Sequence, residues 1–287
     1  MTRTTQEPVT PWRDRVSELI ASATLEVIPL HGAEGQVLSA PRSTTITVTC
    51  SPKFGLERTL VHVAAATEKG NRVVPHVAAR MVPDRTELRR FVSRIEGLGV
   101  DDLYVIGGDA EEPLGIFGSA GDLLNELSCF DHGLRRIGVA CYPEGHPRIS
   151  DDRLLEALLA KQIHADYMVS QLCFDSRALV RWIEDARASG VSLPMRIGLA
   201  APIKMTRLIE LSLRIGVGQS LRYLTKQHGM VGHLMLGRSY APETLLLEMG
   251  ERLATAEDLG IEGLHIFTFN QVDITVGWQR RISQDGL

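Results

Sequence analysis

Eight short apolar runs recur along this chain, most of them followed by a segment of helical period. They are Ala23 to Leu30, Thr44 to Cys50, Arg72 to Val77, Asp102 to Ile106, Arg136 to Tyr142, Tyr167 to Phe174, Met195 to Ala200 and Leu264 to Phe269. Strands that read as continuous apolar runs and alternate with amphipathic helices imply a parallel sheet covered by helices. Eight such units, with no linker or break in composition, favour a closed (β/α)8 TIM barrel over an open doubly wound sheet. A length of 287 residues suits one barrel domain.

The helical segments show their apolar faces directly. Leu88, Phe91, Val92, Ile95 and Leu98 form an i, i+3, i+4, i+7 stripe, preceded by Asp84 with Glu87 three residues on, the pattern of a capping box. Gly97 and Gly99 end it. Leu154, Leu155, Leu158 and Leu159 make a second face, Leu179, Val180 and Ile183 a third, and Leu246, Met249, Leu253 and Ala256 a fourth. Residues 1–10 read as a polar tail and 11–287 as the barrel domain. Two stretches are additions to it. One is an N-terminal helix from Trp12 to Ala21. The other is an extra segment after the seventh strand, Gly216 to Tyr240, with Arg222, Lys226, His228 and His233, which is either a lid or wall beside the site or a plain surface excursion.

A net charge of -4 and a pI near 6.2 give no general attraction to nucleic acid or anionic membrane, so a small-molecule substrate is expected. No run approaches the roughly 18 apolar residues of a membrane span. The start, Met1 to Pro8, lacks the apolar core of a secretory signal, which predicts a cytoplasmic protein. Cys50, Cys129, Cys141 and Cys173 are widely separated without C-x-x-C spacing and read as buried, reduced thiols. Oligomeric state is left open. The chain has no G-x-G-x-x-G after its first strand, no Walker A loop and no G-x-S-x-G elbow, which excludes Rossmann dehydrogenases, P-loop enzymes and α/β-hydrolases. Gly216-Val-Gly218 is only a weak phosphate-loop lookalike.

In a barrel the chemistry sits where strands end, so polar residues at those ends are the candidates. Glu26 is flanked by apolar residues; desolvation would suit it to a general acid, and an ion pair with a neighbouring strand's Lys or Arg is the alternative. Asp109 follows two glycines and either stabilises a developing cation or caps the next helix. Gln171 presents an amide suited to the edge of a heterocycle, or to a structural hydrogen bond. The corner Tyr142-Pro-Glu-Gly-His146-Pro147 holds polar groups between two prolines, and its stiffness lets it aim side chains. His76 and His146 do not read as metal ligands, because the first strand has no His-x-His pair.

In order, these strand ends resemble the methylenetetrahydrofolate reductase family, a (β/α)8 barrel, over roughly residues 15 to 285. The carrying residues are Glu26 before Val-Ile-Pro, Thr49, Pro75-His76, Gly108-Asp109, Tyr142-Pro-Glu-Gly-His146-Pro, Ala165 to Asp175 around Gln171, and His265-Ile-Phe-Thr-Phe-Asn270. The resemblance implies a folate substrate, with a flavin carrying hydride from a nicotinamide cofactor to the methylene carbon of 5,10-methylenetetrahydrofolate. It further implies Glu26 as the acid, Asp109 and Gln171 at the substrate, and Thr49, His76, Tyr142, His146 and Gln171 at the cofactor.

Departures from the family's pattern cluster on the flavin. Gly107 replaces an arginine, Ala160 a phosphate-binding lysine with Lys161 one position off, and Arg153 an acidic ribose ligand. Two lost cationic partners would weaken flavin binding by on the order of 2 to 6 kcal/mol. The expectation is therefore a reductase that takes hydride directly from NADH or NADPH and binds FAD weakly or not at all. An ordinary FAD-dependent member whose Lys161, Arg153 or Arg222 replaces the lost contacts, and a non-catalytic folate-binding relative, are the alternatives. Met205 and Gln271 also replace an aromatic residue and an arginine at the substrate end; Gln271 still stands as a substrate-binding candidate, with Arg207, Arg214, Arg222 and Lys226 unranked for the folate glutamate.

Overall fold

Each apolar run forms one strand of a closed parallel barrel in the computed structural model, which describes residues 11–31, 33–214, 239–254 and 259–285. The strands are β1 Thr24–Val27, β2 Thr45–Val48, β3 Arg72–Ala78, β4 Asp102–Ile106, β5 Arg136–Cys141, β6 Tyr167–Ser170, β7 Met195–Ala200 and β8 Ile261–Phe267. They pair in chain order, and β8 closes on β1 with Glu26 opposite Phe267. The polar tail and nearly all of the segment from Gly216 to Tyr240 lie outside the described residues.

Period-two alternation sorts the side chains. Leu25, Ile46, Val73, Leu103, Val139 and Ile197 face outward into the main core beneath the helices. Val74, Tyr104, Tyr167 and Val169 pack together in a separate cluster, as the opposite face of the same strands requires. The closed sheet has little room inside, and Gly138 shows it: a Cβ there would lie 2.4 Å from Tyr167 Cζ.

The covering helices form where their stripes fall. α1 is Pro11–Ala21, α2 Glu34–Ser39, α3 Gly55–Glu68, α4 Arg85–Gly97, α5 Ala120–Leu127, α6 Asp151–Lys161, α7 Ser176–Ala188, α8 Met205–Arg214, α9 Glu243–Met249, α10 Glu251–Ala254 and α11 Val272–Asp285. On α4, Leu88, Phe91, Val92 and Ile95 are all buried. Each contributes roughly 1.5–3 kcal/mol against about 1 for a cap, so packing decides this helix.

Several local expectations change. Asp84 accepts from Glu87 N at 2.8 Å, but the Glu87 carboxylate pairs with Arg90 instead of reaching back. The reciprocal box occurs on α5, between Ser119 and Asp122. On α6 only Leu158 is fully buried. The fourth apolar face is split into α9 and α10 by Gly250, at φ 47°. Cys141 and Cys173 are buried and Cys50 is half-buried, whereas Cys129 is exposed at the end of α5. α2 lies between β1 and β2, where the sequence signals no helix. Among the described residues no helix is long and apolar enough to cross a membrane.

Candidate active site

The carboxylate of Glu26 stands on the inner face of β1 near its C-terminal end, only 8% exposed. Two imidazoles face it. His265 Nε2, from β8, lies 3.1 Å from Glu26 Oε2, and His76 Nε2, from β3, lies 4.0 Å from the same oxygen. No Lys or Arg among the described residues pairs with Glu26, so the ion-pair alternative is absent and histidine takes its place. The His76 ring packs edge-on against Tyr104 at 4.5 Å between centroids. Burial, with His265 beside it, holds the His76 imidazole well below its ordinary pKa, so it is neutral at physiological pH. Carrying no charge, it does not offset a negative Glu26.

Asp109 lies in the loop after β4, exposed at the same end of the barrel. The loop is held from β3: Arg80 N donates to Gly107 O at 3.0 Å, and the Arg80 guanidinium donates to Ala110 O and Glu111 O. Gly108 is required there, at φ 91° with its Cβ position 3.0 Å from Ala78 Cβ. Because α5 starts at Ala120 under a Ser119 cap, Asp109 does not cap it. Its charge instead reaches the other side of the mouth. Burial first, then Asp109, pushes the Tyr142 hydroxyl up to about 12. Burial and Arg148 depress His146 while Asp109 opposes them. Cys50 is pushed up to about 12 by burial, with Asp109 and Glu26 adding to it. Glu26 near the end of β1 and Asp109 after β4 thus lie toward the same C-terminal end of the barrel.

The proline-bounded corner turns out to have two jobs. Tyr142 and His146 meet edge to face at 5.2 Å, and His146 Nδ1 accepts from Arg148 N at 3.2 Å. Glu144 turns away to the next loop, where its Oε1 accepts from Phe174 N at 2.6 Å and Asp175 N at 2.9 Å. Asp175 then caps α7 by accepting from Arg177 N and Ala178 N. Gln171, between these two loops, donates its backbone N–H to Cys141 O and accepts from Leu172 N at Oε1, 2.9 Å.

Thr49, just past β2, is half-buried; its N–H donates to Val27 O and its carbonyl accepts from Thr59 Oγ1. Past β8 the chain turns through Phe269 and Asn270, both at positive φ (50° and 58°). Asn270 clamps the end of β1 on both sides, accepting from Ile28 N at 2.8 Å and donating to Ile28 O at 2.9 Å. Gln271 follows, half-buried, its N–H on Thr268 O. Of the positions that depart from the family's flavin pattern, Gly107 lies in the loop after β4 and the others sit on α6. Arg153 and Ala160 are exposed, and Lys161 Nζ donates to Ala140 O at 3.1 Å. Met205 is buried in a cluster with Leu172, Phe174 and Tyr240.

The structure thus gathers Glu26, Asp109, His76, Tyr142, His146 and Gln171 at the C-terminal mouth, with Thr49 and Gln271 at its rim. Sequence reasoning missed His265 as Glu26's partner, although its place two residues before Phe267 on an alternating strand was a usable signal. It also missed the Asn270 clamp. A cavity of about 190 Å³ lies at the opposite mouth, lined by Arg72, Asp102, Arg136 and Arg196 among others. There Arg136 and Arg196 are paired with Glu262, and Asp102 with Tyr167.

The family model for methylenetetrahydrofolate reductase matches residues 37–277. "Methylenetetrahydrofolate reductase 1" of Schizosaccharomyces pombe (strain 972 / ATCC 24843) is 32% identical over 85 residues, which are 29% of this chain and 14% of that protein. The chain therefore matches only a small part of that relative's length. Among solved structures, phosphonopyruvate hydrolase in complex with oxalate and Mg++ aligns with TM-score 0.52 at 10% identity, over 96% of this chain and 88% of that one. Oxaloacetate acetylhydrolase with the product oxalate aligns with TM-score 0.50 at 10% identity, over 96% and 88%. At such identity these two likenesses show the barrel fold alone.

Proposed function

Because the chain belongs to the methylenetetrahydrofolate reductase family, we propose that it reduces 5,10-methylenetetrahydrofolate to 5-methyltetrahydrofolate with NADH or NADPH, binding flavin weakly or not at all. The observation that carries this reading is a buried carboxylate, Glu26, near the C-terminal end of β1, with an exposed carboxylate, Asp109, in the loop after β4 at the same end of the barrel. The imidazolidine ring opens when one nitrogen is protonated, leaving an iminium cation at the other. Glu26 is the proton donor, shielded from water by the inner face of the barrel. Asp109 stays ionised at the rim and balances the cation, the inverse of an oxyanion hole. Gln171 and Gln271 offer amides to the substrate's polar edges, and Tyr142, His146, Thr49 and His76 line the space left for the nicotinamide. The reduced nicotinamide supplies the hydride.

Flavin independence is supported by the donor set. Gly107 has no side chain, Ala160 and Arg153 stand exposed on α6, and Lys161 spends its ammonium on Ala140 O. Of these positions only Arg153 offers a free-standing cation, and it stands where the family's pattern has an acidic ribose ligand, so the cations missing at Gly107 and Ala160 are not restored there for a flavin pyrophosphate. The test is an absorbance spectrum of the purified protein, followed by NADH and NADPH oxidation dependent on methylenetetrahydrofolate, with and without added FAD. The expected result is no flavin band and FAD-independent turnover that falls at least about 100-fold in Glu26→Gln. Flavin at near-unit stoichiometry would sink the direct-transfer reading, and absence of turnover under all conditions would sink the reductase reading.

A further inference from the structure

A buried carboxyl that must give up a proton at one atom has to be held at the other. Glu26 Oε2 faces both imidazoles, at 3.1 Å from His265 Nε2 and 4.0 Å from His76 Nε2, whereas Oε1 has no partner among the described residues. We propose that His265 is the positioning residue of the reductase acid: it carries its ring proton on Nε2, donates it to Glu26 Oε2, and leaves Oε1 as the atom that bears the transferable proton. This rests on the reductase reading and adds a residue to it.

Three features separate His265 from an ordinary core histidine. It is 2% exposed yet points into the barrel, not into the helix-covered core. Its ring orientation is held by Phe267 edge-on at 4.8 Å and by Tyr104 at 6.4 Å. Its partner's strand is fixed to the same turn, since Thr268 Oγ1 donates to Glu26 O and Asn270 clamps Ile28. The acid and its holder therefore move as one unit across the β1–β8 seam. His76 has the complementary geometry: its Nε2 is buried without a hydrogen-bond partner and stands 4.0 Å from the acid, too far to hold it in place. The other titratable groups that feel Glu26 are the Cys50 thiol after β2 and the Tyr104 hydroxyl on β4, both pushed up chiefly by burial and neutral at physiological pH.

The experiment compares His265→Gln, His265→Asn and His265→Leu, each checked for folding by circular dichroism and thermal melting. A glutamine amide can reach the place of Nε2, while the shorter asparagine amide cannot. Expected are kcat losses of about 10- to 100-fold in the Asn and Leu variants with KM for methylenetetrahydrofolate within about two-fold, and near-complete rescue in the Gln variant. Equal kcat in the Gln and Asn variants of an active wild type overturns this proposal alone. A wild type without reductase activity overturns the reductase reading and this proposal with it.

Discussion

Asp102 shows how differently two buried carboxylates of one barrel behave. It sits at the N-terminal end of β4, 6% exposed, and accepts from Tyr167 Oη at 2.8 Å. Burial raises it to about 6, although the Tyr167 hydrogen bond and the nearby Arg196 and Arg136 act the other way. A carboxyl raised on folding adds stability that is full below its unfolded pKa and is lost as pH rises through its folded value. Wild-type stability should thus decline by on the order of 2–4 kcal/mol between about pH 4 and pH 8 from this group. Asp102→Asn keeps an acceptor for Tyr167 and removes the titration, so its melting temperature should fall less over that range. Identical pH slopes in the two proteins would show that Asp102 does not titrate there. Sequence patterning found Glu26 because a charge inside an apolar run is conspicuous; Asp102, at the edge of its run, carried no such signal.

At the scale of elements, the corner after β5 proves to be a coupling device. Glu144 leaves the site and secures two N–H groups of the loop after β6, between Gln171 and the capped start of α7. Leaving two part-buried N–H groups without their acceptor costs about 1–3 kcal/mol each. Glu144→Ala should lower stability by about 2–4 kcal/mol and raise KM by loosening Gln171, with Glu144→Gln recovering part of both. Melting curves and steady-state kinetics read this directly, and an unchanged KM in a destabilised Ala variant would show that the loop does not hold Gln171. The strands were legible to within a few residues because their apolar runs are bounded by polar and glycine residues. β8 was placed three residues late, since Glu262 and Gly263 interrupt its apolar pattern while serving the sheet.

The whole molecule separates its two ends by task. At the N-terminal mouth Arg136 and Arg196 lie over the Tyr167 ring at 4.7 and 4.0 Å and share Glu262, at 2.9 and 2.7 Å. That end is lined by mutually paired charges, and the C-terminal mouth holds the residues proposed for chemistry, as expected of a barrel. Glu262→Ala should therefore lower stability by about 1–3 kcal/mol, reduced by its partial exposure, and leave kcat within about two-fold. A large kcat loss at unchanged stability would contradict the division. The helices covering α1 belong to the same logic: Gln279 on α11 donates to Ile20 O on α1, fastening the N-terminal addition to the last helix.

The sequence by itself determined the number and order of the strands and which strand ends carry polar groups. These follow from period and composition, which are local. Only the tertiary structure decided which of those groups meet. Barrel closure brings β8 beside β1 and so places His265 on Glu26 across 239 residues of chain. It also sends Glu144 to the neighbouring loop instead of the site, and commits Lys161 to a β5 carbonyl. Contacts of that kind depend on the register of a closed sheet and on the length of each side chain, and a one-dimensional pattern holds neither.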